Sequence, residues 1–166
     1  LGEIDIPQRR EAAALMAAQT PLPTNVYTEP IQMGTVPGLL VAADGADDQR
    51  IILYLHGGGY IFGSPRTHKA MLAQLCKRTG LAALLPDYRK APEHPFPGAV
   101  EDAVKHLEGI ITRSPRNGEA LWRLARCYWW LGDEAPKGKR IKVFNRGEDY
   151  GKRAAAATPN SPDAHY

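Results

Sequence analysis

Two short apolar runs, at residues 51–55 and 81–85, constrain this chain more than any other feature of it. Every position in them is apolar, so the strands they form must be covered on both faces. Each run is followed by a stretch of helical periodicity, at 66–78 and at 99–111. Strand, helix, strand, helix with such strands predicts an α/β fold, a parallel sheet with helices on its faces. Upstream, residues 1–22 read as an Ala-rich amphipathic helix stopped by Thr20-Pro21-Leu22-Pro23. Segments 26–33 and 38–43 lean towards strand, joined through Gly34 and Pro37, and 44–48 is a turn.

After Ile111 the pattern changes, because no further apolar strand appears and residues 119–131 and about 140–157 both read as helices. The outline Pro115-Arg116-Asn117-Gly118-Glu119-Ala120-Leu121 recurs 44 residues later, from Pro159 to His165. That period suggests a helical hairpin repeat with an insertion. Leu121, Leu124, Ala125 and Tyr128 fall on the inward positions of its first helix. The stretch from residue 121 resembles the tetratricopeptide-like repeats of the regulator of microtubule dynamics family, with Gly147 and Gly151 departing from the pattern. A single repeat cannot bury its own stripe. The segment is therefore expected to lie on a surface, to self-associate or to meet a protein partner, with Trp129 and Trp130 among its contact residues.

At 166 residues the chain can form one domain with a core, or two small units. No apolar run approaches a membrane span, and the first twenty residues lack the basic start and apolar core of a secretory signal. Cys76 and Cys127 sit in helical segments without metal-ligand spacing, which fits buried thiols in a reducing compartment and an expected cytoplasmic location. A net charge of +3 is too small to suggest nucleic acid, and its basic excess, after residue 107, reads as a solvated helix face.

His56-Gly57-Gly58-Gly59 follows the first apolar run directly, and Asp87-Tyr88-Arg89-Lys90-Ala91-Pro92-Glu93-His94-Pro95-Phe96-Pro97 follows the second. Glycines after a strand can form a plain tight turn. With Gly63 and Asp87 they also make a poor dinucleotide loop, at the wrong spacing. Taken together, the two segments, with Gly63-Ser64 and Asp102, resemble the hormone-sensitive lipase family of α/β-hydrolases over residues 4–106. The resemblance implies a partial α/β-hydrolase sheet with flanking helices over 1–107, and with the repeat-like helical hairpin tail over 108–166 the chain reads as a fusion. It also implies small acyl esters as ligands, no cofactor, and an oxyanion hole at Gly57, Gly58 and Gly59; the charge, the apolar runs and the residue spacings add the expectation of no nucleic acid, membrane or metal. His56 would order the loop, and Arg89 and Glu93 would pin the segment after the strand.

The same family uses a serine in a G-x-S-x-G turn, then an acid and a histidine. Ser64, Ser114 and Ser161 are the only serines here, and none stands in such a turn. Each is followed by proline, which lacks the N–H that the residue after the nucleophile must donate. The expectation is therefore an incomplete, non-catalytic esterase without catalytic residues. An open sheet edge is expected too, left for the tail or an oligomer to cover, or leaving the piece poorly folded. The alternatives are an esterase whose nucleophile is a non-serine residue or comes from another chain, and an interaction module working through the tail.

Overall fold

A computed structural model of the chain describes residues 5–160. Ser161 and His165 lie outside the described residues. The chain divides into two compact units, Leu1–Pro95 and Phe96–Tyr166. The joint expected at 107/108 falls inside a helix of the second unit.

In the first unit, helix α1 spans Ile6–Ala18; Asp5 caps it by accepting from the Gln8 N–H at 2.9 Å. Strands β1 (Val26–Met33) and β2 (Val36–Ala43) form an antiparallel hairpin through Gly34, whose φ of 65° suits glycine. Strand β3 (Asp47–Leu53), helix α2 (Pro65–Thr79) and strand β4 (Leu81–Pro86) follow. Both ends of α2 are fixed by local chemistry: Ser64 and Thr67 form a reciprocal capping box, Pro65 opens the first turn, and Gly80 ends the helix in a left-handed conformation.

The sheet order is β1-β2-β4-β3. Only the β3–β4 pair is parallel, so the parallel sheet expected from the apolar runs is a mixed one. The crossover through α2 makes that pair parallel; the upstream hairpin supplies the antiparallel remainder. Against the sheet α2 packs Leu72, Ala73 and Cys76, forming a buried core with Val41, Ala83 and Leu85. Complete burial of Leu72 contributes roughly 2–3 kcal/mol.

Strand β3 begins at Asp47, four residues before the apolar run, with a register irregularity between Asp47 and Ile51. It also lies at the sheet edge. Since the Tyr54 N–H donates to Leu84 O at 2.9 Å, residues of that parity face β4, and Ile51 and Leu53 turn their backbone groups to the open side. Ile51 and Leu55 remain 47% and 40% exposed. Among the described residues the open sheet edge expected from the sequence lies at β3, and its apolar run is only partly covered there.

The second unit holds α3 (Gly98–Arg113), α4 (Gly118–Glu134) and α5 (Lys137–Ala157). Asn117 caps α4 by accepting from the Ala120 N–H. Helices α4 and α5 form an antiparallel hairpin, with Gly132 against Phe144 and Gly147 against Tyr128. Leu121, Leu124 and Tyr128 are buried in this unit, and Ala125 is half-buried. One carboxylate oxygen ties the three helices together: Glu108 Oε1 accepts from Tyr128 Oη at 2.9 Å, Tyr150 Oη at 3.2 Å and Arg146 Nη2 at 2.6 Å. Among the described residues, no helix is long and apolar enough to cross a membrane.

Candidate active site: the glycine loop

The chain leaves β3 through Tyr54 and Leu55, turns at His56 and runs through Gly57–Gly58–Gly59 into the Ser64 cap of α2. His56 is buried and stacked on Tyr88, with ring centroids 4.2 Å apart, while His68 lies on it at 5.5 Å. Tyr88 Oη donates to His56 O, and His56 Nδ1 lies 3.0 Å from Gly57 O. Tyr88 Oη also lies 3.0 Å from Nδ1, so with the tyrosine proton spent on the carbonyl the network assigns the imidazole hydrogen to Nδ1, shared between Gly57 O and Tyr88 Oη. Nε2 is buried without a partner among the described residues. Burial, more than the Gly57 hydrogen bond can offset, lowers the pKa of His56, and Lys90 and His68 lower it further. Burial likewise pushes Tyr88 up to about 12. The neutral forms of both groups are thus favoured, joined across the root of the loop.

Beyond His56 the chain turns tightly, with the Ile61 and Phe62 N–H groups both donating to Gly58 O at 3.1 and 2.9 Å. The conformation requires glycine at two points. Gly58 has φ of 130° and a Cβ there would overlap Phe62 O; Gly63 has φ of 85° and lies against Gly57 O and His56 Nδ1. Gly57, by contrast, faces open space within 4 Å of where its Cβ would be. The loop from Gly57 to Tyr60 is exposed, and among the described residues the N–H groups of Gly57, Gly58 and Gly59 have no acceptor. Three such N–H groups in a row can receive an anionic oxygen.

The segment after β4 packs on this loop. The Ala91 N–H donates to Tyr60 O at 2.8 Å, and Tyr60 is held at φ of 60°. Glu93 pairs with Arg10 of α1 at 2.8 Å; a hydrogen bond from its own backbone N–H, and then Arg10, hold its pKa below the usual carboxylate value. Arg89 is half-buried in the same segment. Neither Arg10 nor the Tyr88–His56 bond was visible in sequence. Arg10 sits in an alanine-rich helix with no local signal, although Tyr88 belongs to the motif that marked the segment.

Two of the three serines lie at helix ends. Ser64 is the N-cap of α2 and Ser114 the C-cap of α3. Gly132 to Pro136 is the C-terminal end of α4 with its cap Ala135, and Pro136 opens α5. Burial raises the thiol pKa of Cys76, and that of Cys127 to about 11, which favours the neutral thiol at both.

A family model described as alpha/beta hydrolase fold matches residues 52–141, more than half of the chain. The chain belongs to the α/β-hydrolase fold family. An acetyl-hydrolase of Streptomyces hygroscopicus is 53% identical to this α/β-hydrolase chain over 110 residues, covering 66% of it and 34% of that protein. LipR of Mycobacterium tuberculosis is 33% identical over 154 residues, covering 93% and 47%. Among solved structures, a hormone-sensitive lipase from a metagenome library has a TM-score of 0.67 at 30% identity, covering 82% of this chain and 48% of its own. An esterase of the bacterial hormone-sensitive lipase family has a TM-score of 0.67 at 26% identity, covering 99% and 67%. The α/β-hydrolase chain therefore spans about a third to a half of the length of these curated relatives.

Proposed function

We propose that this chain carries the oxyanion-binding part of a carboxylic-ester hydrolase and no nucleophile, so that it holds the acyl group of a small ester without cleaving it. The observation that carries this reading is the row of exposed N–H groups at Gly57, Gly58 and Gly59 that have no acceptor among the described residues. In ester hydrolysis such donors meet the oxygen that becomes negative in the tetrahedral intermediate. His56 orders the loop through its neutral ring, and Arg89 and Glu93 hold the segment after β4 against it. The missing nucleophile rests on Ser64 and Ser114 capping helices, and on a proline after every serine.

The helical hairpin of α4 and α5 supports reading residues 108–166 as a tetratricopeptide-like segment joined to a partial hydrolase domain, although the family match runs on to residue 141. A second role for this segment, in self-association or protein binding, is favoured by the exposure of Trp129 and Trp130. Cys76 and Cys127, both free, fit the cytoplasmic location in this proposal.

The test is intact-mass analysis after incubation with a reactive fluorophosphonate, on protein shown to be folded by its near-ultraviolet circular dichroism. We expect no adduct. An adduct on any serine would show that the site is complete and catalytic, and would overturn the reading.

A further inference from the structure

We propose that Arg10 positions the oxyanion loop, an inference that rests on the reading above and names what keeps that site in shape. Its guanidinium donates on three sides: Nε to Ile61 O at 2.7 Å, Nη2 to Ala91 O at 2.5 Å and Nη1 to Glu93 Oε1 at 2.8 Å. The acceptors lie 51, 81 and 83 residues away in sequence, on the two segments that build the site.

The path from Arg10 to the glycines runs through two peptide planes. Ile61 O and the Phe62 N–H belong to one planar unit, gripped by Arg10 at its oxygen and by Gly58 O at its hydrogen. Gly58 O in turn shares a planar unit with the Gly59 N–H. In a trans peptide the two point in opposite directions, so drawing the Gly58 carbonyl into the turn directs the Gly59 N–H out of it. The Ala91 contact acts in parallel: the Ala91 N–H holds Tyr60 O while Arg10 holds Ala91 O. The next residue of α1, Glu11, forks onto Arg66 in the first turn of α2 at 2.8 and 3.0 Å, just beyond the loop's far end. Helix α1 thus braces the loop on both sides. The planar fork of Arg10 serves three acceptors at once, which a lysine ammonium on a flexible stem does not reproduce.

The experiment compares the full chain with Arg10→Ala and Arg10→Lys by residue-resolved amide exchange, with and without added methylguanidinium, and by titration of the glycine amide resonances with butyrate. In Arg10→Ala we expect exchange at Phe62 and Ala91 to quicken at least tenfold while the amides of β2 and β4 hold their rates. Methylguanidinium should restore protection to the alanine variant, and Arg10→Lys should fall between the two. Butyrate should shift the Gly59 amide in the parent chain and at least tenfold more weakly in Arg10→Ala. Unchanged exchange at Phe62 and Ala91, or exchange rising equally across β2 and β4, overturns the proposal, the second outcome by making Arg10 a general staple. If butyrate shifts nothing in the parent chain, the oxyanion reading falls, and Arg10 is judged on exchange and rescue alone.

Discussion

Gly57, Gly58 and Gly63 are the same residue type with different duties, and substitution separates them. An alanine Cβ at Gly58 would overlap the Phe62 carbonyl, and at Gly63 it would lie 2.5 Å from Gly57 O; both positions also have positive φ. The left-handed conformation alone costs a non-glycine residue roughly 1–2 kcal/mol, and the overlap adds to it. We expect Gly58→Ala and Gly63→Ala each to lower stability by about 2 kcal/mol or more in urea titrations. Gly57→Ala, with nothing within 4 Å of the new methyl, should leave the midpoint nearly unchanged while obstructing the space over the exposed amides. A Gly57→Ala variant as unstable as Gly58→Ala would show that this position is not open. Ser64 is equally committed: its Oγ accepts from the Thr67 N–H at 3.3 Å, which an attacking hydroxyl would have to give up.

Among the elements, α4 puts two kinds of aromatic side by side. Tyr128 is buried, with its hydroxyl on Glu108, whereas Trp129 and Trp130 are 54% and 49% exposed and packed edge to face on each other. Sedimentation velocity across a hundredfold concentration range should therefore show association that Trp129→Lys combined with Trp130→Gln abolishes. A parent chain that stays monomeric throughout removes this patch as an interaction surface. Every helix and strand left a local signal in the sequence, chiefly its apolar period, although the start of β3 at Asp47 fell in the stretch read as a turn and the caps Ser64 and Asn117 were recognised only in the structure. The place of β4 between β2 and β3 was not, since it depends on pairings between distant residues. The glycine loop and its companion segment were recognisable as motifs. Their fastening was not, because Arg10 meets Ile61, Ala91 and Glu93 only after the chain has folded.

For the whole molecule, buried histidines set how stability follows pH. Burial lowers the pKa values of His56 and His106 in the folded chain; Asp102 opposes the shift at His106, while Lys90, His68 and Asp87 act on His56. Above the unperturbed value near 6.5 both states are largely neutral, and nothing is lost. As pH falls below it, the unfolded chain takes up protons that the folded chain refuses. Stability then falls by up to about 1.4 kcal/mol per pH unit for each histidine, until its folded pKa is reached. Urea midpoints should decline from pH 7 to pH 5, and His106→Gln should flatten that decline; equal midpoints at both pH values would contradict it. The lowered carboxylates Glu11 and Glu93 act only further down, below about 4.5, where protonation loosens their pairs with Arg66 and Arg10.

The open side of β3 carries this into the cell. A strand whose outer side has no neighbour among the described residues, with half-exposed Ile51 and Leu55, is a template for an extended apolar segment. During synthesis that makes it a ready client for holdase chaperones and, when they are scarce, for proteases.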